Sequence, residues 1–280
     1  QVKFSHPQVT LAGNVEAVLD QRIRDLSART AALALPTPLN VLINPGFEAP
    51  IDKSGKIPGW EVSNPAAVKR DNDKAYKGEP AALRLSNPGG VLTVRSEPFE
   101  PPTTGRLSVA VGLRVEQIDQ QPQLRLAIEG LLDGKLYYRF ASVGAGQNIA
   151  KLSDRYAPYI FQVDDLPTTG LTQLRVRFDM IDEGSVLIDN VQLYDLAFND
   201  SERIELTKII TSANIALHSG KTSDCVRVLE GYWPRYLTEH VPLVQTAAAA
   251  QSKESPTTKA PEKTAEKPGA WDKLRRSWPF

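Results

Sequence analysis

Between residues 39 and 196 the chain is cut into short runs of alternating apolar and polar character, separated by Pro, Gly, Asn and Asp. The runs are AALRLS (81–86), GVLTVRS (90–96), GRLSVAVGLRVE (105–116), QLRLAIEGLL (123–132), KLYYRFASV (135–143), YIFQVDDL (159–166), QLRVRFDMI (173–181) and SVLIDNVQLYDL (185–196). A two-residue period sends successive side chains to opposite faces of a strand, so each run can bury one face and wet the other. Eight such segments, with no helical period between them, predict an antiparallel sandwich or jelly roll. A parallel α/β sheet would need crossover helices, and the sequence offers none in this region.

The flanks have a different period. From Asn14 to about Leu35, Val15, Val18, Leu19, Ile23, Leu26 and Leu33 recur at three- and four-residue steps with Glu16, Asp20, Arg24 and Arg29 between them. This is the pattern of an amphipathic helix with Asn14 as N-cap and Pro36 and Pro38 as its stop. After the strands, DSERIELTKIITSANIALHSG reads as a helix capped by Asp200 or Ser201, with Leu206, Ile209, Ile210, Ala213, Ala216 and Leu217 on one face and Gly220 ending it. TSDCVRVLEGYWPRYL follows as a second helix capped near Ser223 and broken by Pro234, so the pair reads as a helical hairpin. From about Gln245 the chain is poor in hydrophobic residues and rich in Ala, Lys, Glu, Pro and Thr, the composition of a disordered linker. It leads to WDKLRRSWPF, where two Trp and a Phe accompany three basic residues, either as a docking handle or as a plain chain end. The expected organisation is therefore an N-terminal segment with a helix (1–38), a sandwich (39–197), a helical hairpin (198–244) and a linker with an aromatic-basic tail (245–280).

Composition removes several functions. Lys plus Arg and Asp plus Glu stand at 33 each, so no global charge favours nucleic acid or an anionic membrane. The lone Cys225 allows no internal disulfide, and no Cys/His set has zinc spacing. No run of 18 apolar residues spans a bilayer. The chain opens on Gln1, which gives the expectation of a processed chain or a piece of a longer one. Gly-Lys-Thr at 220–222 lacks the earlier glycine of a phosphate loop, because Ile215 occupies that position. VGAGQNIA has Ile149 where a third glycine would stand. His6, His218 and His240 are scattered, and no Gly-x-Ser-x-Gly elbow occurs. Asp164 with Asp165 and Asp182 with Glu183 are adjacent pairs suited to turns rather than to facing each other across a cleft. A non-catalytic role is the expectation.

One constellation remains. Asn44-Pro45-Gly46 suits a tight turn with Pro second and a positive-φ Gly third, after which Phe47 faces the core and Glu48 faces away. Further along come IPGW with Trp60, AYKGEPAALRLS with Gly78 and Leu83, and GSVLIDNVQLYDL with Asp189. In this order, over roughly residues 40 to 196, the segments resemble the jelly-roll carbohydrate-binding modules that accompany bacterial xylanases and cellulases, and more broadly the galactose-binding-like sandwiches. The whole arrangement also resembles the C-terminal portion of large uncharacterised bacterial secreted or envelope proteins. The sandwich resemblance implies a structural Ca²⁺ held by Glu48 and Asp189, with backbone carbonyls from the loop 71–78 as further ligands. Oxygen donors from distant segments suit that ion. The alternative is that both carboxylates simply accept hydrogen bonds from nearby amides.

The resemblance further implies recognition of polysaccharide or glycoconjugate in an extracytoplasmic setting. Sugar sites use aromatic faces and planar hydrogen-bonding groups. Trp60, Tyr137, Tyr138, Tyr156 and Tyr159 supply aromatic candidates, and Arg114, Arg125, Arg139, Arg175 and Arg177 alternate with core positions on their strands. The expected ligand set is Trp60, Tyr137, Tyr138, Arg125, Arg139, Arg175 and Arg177, on a face suited to a glycan, including an acidic one. The same arginines would also suit the solvated side of a plain sheet. The competing reading makes the sandwich a scaffold and gives protein contacts to the tail and to the hairpin around Ile209, Leu217, Val228, Leu229 and Trp233.

Overall fold

All eight expected strand segments form strands in the computed structural model, which describes residues 8–52, 55–73, 75–76 and 79–243. Two more strands were hidden by their length: β1 (Trp60–Val62) and β2 (Val68–Asp71) are too short for an alternation to show. The others are β3 (Ala82–Asn87), β4 (Leu92–Ser96), β5 (Leu107–Val115), β6 (Leu124–Leu132), β7 (Lys135–Val143), β8 (Ala157–Val163), β9 (Leu171–Met180) and β10 (Gly184–Tyr194). They pair antiparallel into two five-stranded sheets, the first in the order β1-β4-β9-β6-β7 and the second in the order β2-β3-β10-β5-β8. The chain repeatedly changes sheet as it advances, so the two sheets share one core and form a jelly-roll sandwich.

That core is what the alternation requires. Leu124, Leu126 and Ile128 of β6 meet Leu174, Val176 and Phe178 of β9, and they face Val109, Val111, Leu113, Val186 and Ile188 of the second sheet. Each of these side chains is almost fully buried. At about 25 cal/mol per Å² of apolar surface removed from water, a continuous interior of this kind is the main source of the fold's stability.

The run Val41-Leu42-Ile43 is not a strand. It forms a turn and bends, with Val41 and Ile43 exposed, and the chain before it is bridged to β10 from Leu39 to Leu193. The Asn44 turn closes as expected, Phe47 N–H donating to Asn44 O at 3.2 Å, but the positive φ falls on Asn44 and Phe47 rather than on Gly46.

The chain divides into two compact units. The sandwich unit runs Thr37–Ala197, and the other draws on the residues up to Pro36 and from Phe198 onward. The second unit is helical: α1 (Gln8–Ala32) packs against α2 (Asp200–His218), α3 (Thr222–Leu229) and α4 (Tyr232–His240). Helix α1 begins before Asn14, and its buried stripe is Leu19, Ile23 and Leu26, with Leu33 buried just past its end and Val15 and Val18 exposed. The cap of α2 is Asn199 rather than Asp200 or Ser201. Its side chain accepts from Glu202 N–H while the Glu202 carboxylate accepts from Asn199 N–H, a capping box. The expected second helix of the hairpin is two helices, divided at Glu230-Gly231. Pro234 does not break it, because it lies in the first turn of α4, where a missing N–H costs nothing.

Leu229 is buried, and Trp233 stacks on Phe198 and Tyr236, so two of the hairpin residues expected to meet a partner serve this unit's own packing. The expected linker and its WDKLRRSWPF tail lie outside the described residues. No helix among the described residues is long and apolar enough to cross a membrane.

Candidate functional site

Two places in the sandwich unit collect the chemistry. The first is the meeting of Glu48 with Asp189. Asp189 lies on β10, followed by a bulge in which Asn190 takes a φ of 51° and the register against β5 shifts. Beyond the bulge, Val191 N–H donates to Pro45 O at 2.9 Å, which ties the Asn44 turn to β10. Asn44 knots the same loop: its side chain accepts from Ala49 N–H and donates to Pro58 O, and its carbonyl accepts from Trp60 Nε1 at 3.1 Å. Arg70 holds the other side through Phe47 O and Glu48 O, at 3.2 and 2.9 Å.

These bonds aim Glu48 at Asp189. Asp189 is fully buried and accepts from Tyr76 N–H and Asn190 N–H, both at 2.7 Å. Burial pushes its carboxyl up to about 7 against those two amides, with the negative charges of Glu48 and Glu79 adding to the rise. Burial also raises Glu48. The Ala81 amide offsets part of that rise but makes no regular hydrogen bond, and both carboxylate oxygens are buried without a hydrogen-bond partner. Gly46 leaves the space above them open, since a Cβ there would stand 3.4 Å from Glu48 Oε1 and 3.9 Å from Asp189 Oδ1.

An orphaned carboxylate beside a second buried carboxylate, both hard oxygen donors, fits a calcium ion. Among the described residues no group of three or more His, Cys, Asp or Glu side chains converges. The loop 71–78, expected to supply carbonyls, is described only at 71–73 and 75–76.

The second place is the outer face of the first sheet. The inward residues of β9 and β6 are apolar; the outward ones are Arg175, Arg177 and Asp179, and Arg125, Ala127 and Glu129. Neighbouring strands add Glu61, Thr93 and Arg95. These groups bind one another across the strands. Arg95 and Arg175 both reach Glu61, at 2.8 and 3.0 Å, and Arg175 also donates to Ser96 O. Glu129 accepts from Arg95 at 3.3 Å and from Arg177 at 2.8 Å. Asp179 accepts from Arg177 Nε, Thr93 Oγ1 and Tyr138 OH, at 2.8, 2.7 and 2.9 Å. Glu129 and Asp179 are only 5% and 2% exposed although they point away from the core, because the Arg95, Arg177, Thr93 and Tyr138 side chains bonded to them cover them. The Arg175 hydrogen bond, chiefly, lowers Glu61, and burial followed by the Asp179 hydrogen bond takes the Tyr138 phenol up to about 12.

Beside this network, the edge strand β7 lifts Leu136, Tyr138 and Phe140 at alternate positions on the same face. Leu136 and Phe140 are exposed, and the Tyr138 and Phe140 rings lie 5.7 Å apart. The structure thus brings together Arg125, Arg175, Arg177 and Tyr138 from the expected ligand set.

It separates the other three. Trp60 is a core residue, 1% exposed, its indole 5.0 Å from the Phe47 ring and 6.0 Å from that of Phe178, where no ligand can stack on it. Tyr137 and Arg139 lie on the opposite side of the pleat from Tyr138. Tyr137 is buried under the Arg139 guanidinium, which pairs with Asp165. Adjacent tyrosines of one strand cannot share a face. Tyr138's partner is Phe140, and the alternation in YYRF was the signal for it. Glu61, Thr93, Arg95, Glu129 and Asp179 carried no local signal, because only cross-strand register assembles them.

On the second sheet, Tyr156 packs edge-on against Tyr76, and Tyr159 OH donates to Lys151 O. An open depression of about 410 Å³ there is lined by Lys69, Arg70, Asp71, Asn72, Asp73, Arg84 and Ser86. Its central Arg84 is already paired with Asp71 and with Glu116, and it contains none of the expected ligand-binding residues.

No protein-family model matches the chain, and no curated protein does. Among solved structures it is similar to a family 61 carbohydrate-binding module in complex with β-1,4-galactotriose, at 20% identity over 56% of this chain and 99% of that one, with a TM-score of 0.38. It is similar to the CBM22-1 xylan-binding domain of Paenibacillus barcinonensis Xyn10C, at 13% identity over 55% and 93% of the two chains and a TM-score of 0.38. It is also similar to the second family 16 carbohydrate-binding module, at 15% identity over 55% and 99% and a TM-score of 0.39.

Proposed function

We propose that the sandwich unit is a non-catalytic carbohydrate-binding module that holds polysaccharide or glycoconjugate on the outer face of its first sheet. The observation that carries this reading is the row Leu136, Tyr138 and Phe140 on one face of β7, with Leu136 and Phe140 exposed and Tyr138 half-buried, beside a network of planar guanidinium and carboxylate groups. Sugar rings present C–H faces to aromatic surfaces and hydroxyls to planar polar groups, and this face offers both within one sheet. Hydrolysis has less support. Its two buried carboxylates, Glu129 and Asp179, are both tied to Arg177, so neither is placed as a free acid opposite a nucleophile.

In the same reading Glu48 and Asp189 hold a structural calcium that clips the Asn44 turn to β10. When bound, the ion supplies positive charge to two buried carboxylates that otherwise repel each other. This reading places the module in an extracytoplasmic setting, where calcium is plentiful enough to fill a weak oxygen site.

Affinity electrophoresis of the full chain against a panel of soluble polysaccharides tests the reading. At least one should retard the wild type, and Tyr138→Ala or Phe140→Ala should weaken that binding about three- to tenfold, the worth of one aromatic contact. A correctly folded protein that no polysaccharide retards would end the proposal.

A further inference from the structure

The charges on the outer face of the first sheet do not balance. Glu61 is shared by Arg95 and Arg175, Glu129 by Arg95 and Arg177, and Asp179 is taken by Arg177, Thr93 and Tyr138. Three carboxylates thus engage three guanidiniums, and a fourth, Arg125, has no carboxylate partner among the described residues. It does not lie out in solvent. Its strand neighbours are Ser142 on β7 and Asp179 on β9, its guanidinium carbon sits 5.1 Å above the centre of the Phe140 ring, and its Nε is buried with no hydrogen-bond partner.

Burying part of a guanidinium without an acceptor costs free energy, and leaving the donor unmade costs more than a typical hydrogen bond returns. Stacking on Phe140 recovers a part of this through the ring quadrupole. The Nε itself is covered and out of a ligand's reach, but the Nη groups of the same guanidinium are not buried and have no carboxylate partner among the described residues, so they can meet one. A neutral hydroxyl would accept from them, but an anionic oxygen makes a hydrogen bond roughly twice as strong and also neutralises the charge. The guanidinium fork matches two oxygens of one carboxylate or sulfate, which a single hydroxyl cannot do. Arg125 also borders the aromatic row, so a sugar ring lying on Tyr138 and Phe140 brings its substituents next to it.

We infer that the glycan held on this face is acidic: its rings lie on Tyr138 and Phe140, and a carboxylate or sulfate group on the sugar meets the Arg125 guanidinium. This rests on the carbohydrate-binding reading and narrows it to one ligand class.

Titration of the full chain with polygalacturonate, dextran sulfate and neutral galactan tests it. The expected result is binding to at least one of the two polyanions, with the one preferred identifying the anion as uronate or sulfate ester, and binding to galactan weaker by tenfold or more. Arg125→Met keeps the unbranched apolar stem of the side chain and removes the guanidinium, including its contact with the Phe140 ring. It should reduce acidic-glycan binding at least tenfold with an unchanged melting temperature, while Arg125→Lys retains part of it. Raising salt from 0.05 to 0.5 M should weaken the wild type more than Arg125→Met. If galactan binds as tightly as the polyanions, or Arg125→Met binds them like the wild type, the acidic class is wrong while the sugar-binding reading stands. If the folded protein binds none of the three and no other polysaccharide, both fall together.

Discussion

Phe47 takes a left-handed backbone, φ 58°, which a bulky side chain adopts only where its surroundings force it. The forcing is visible: the ring must reach Trp60 in the core while the next residue delivers its carboxylate to Asp189. Asp189 makes that junction sensitive to pH. Unfolded, its carboxyl ionises near pH 4; folded, it keeps its proton up to about 7. The native state therefore binds this proton more tightly. The stability it contributes is complete below about pH 4 and is lost as pH rises through 7, and Glu48, raised by the same burial, adds in the same direction. In chelator, the melting temperature of the sandwich unit should fall over that range by several degrees, the equivalent of a few kcal/mol. Asp189→Asn should flatten the fall. Millimolar calcium at pH 7.5 should restore the wild type and leave Asp189→Asn and Glu48→Ala unmoved. A flat profile in chelator, or identical calcium responses in all three proteins, would remove the clip. A second residue of the same loop admits no substitution. Gly59 has φ 79°, and a Cβ there would lie 2.4 Å from Ile43 O, so Gly59→Ala should cost about 3 kcal/mol or more in urea denaturation followed by tryptophan emission.

Elements with a dry and a wet face declare themselves in the residues that make them, and those with neither do not. Strand β7 forms at the residues its alternation marks, 135–143, because Tyr137 and Val143 face inward while Leu136, Tyr138 and Phe140 face out. Strands β1 and β2 escape notice because three or four residues hold barely one period. The run Val41-Leu42-Ile43 is apolar and two of its three residues are β-branched, yet it is too short to show an alternation and it forms a turn and bends. The candidate site is legible in halves. Arg125, Arg175, Arg177 and Tyr138 follow from alternation, but Glu129 and Asp179 become buried partners only through the register that sets Asp179 opposite both Thr93 and Arg125. In the helical unit, the Asn199 capping box shows how much one terminus contributes. Asn199→Ala leaves the Glu202 N–H of α2 without its acceptor, the bond from the backbone N–H of residue 199 to Glu202 remaining, and should lower stability by about 1 kcal/mol in urea denaturation followed at 222 nm. Glu202→Ala added to it should cost less than it does alone, since the box is already broken; full additivity would mean that the two bonds are independent.

At the scale of the molecule, the helical unit is built from both ends of the described chain, with the sandwich unit running between α1 and α2. The sandwich enters and leaves at one place: Leu39 N–H donates to Leu193 O at 2.7 Å, so the first ordered contact of the segment closes on its last strand. A segment whose ends meet, and whose interior is a continuous cluster of its own residues, meets the conditions for independent folding. Trp60 gives a clean report on this, being the only tryptophan within residues 37–197 and fully buried against Phe47 and Phe178. Expressed alone, residues 37–197 should emit at the short wavelength of a buried indole. In urea that emission should shift to the red in one cooperative step that coincides with the loss of the far-ultraviolet β signal. The fragment should also keep the polysaccharide binding of the full chain, because Tyr138, Phe140, Arg125 and the whole ion-pair network lie within it. A fragment that emits like an exposed indole, or unfolds without a cooperative step, would show that the sandwich depends on the helices for its fold. A cooperative fragment that has lost binding would place the ligand's anchor in the helical unit.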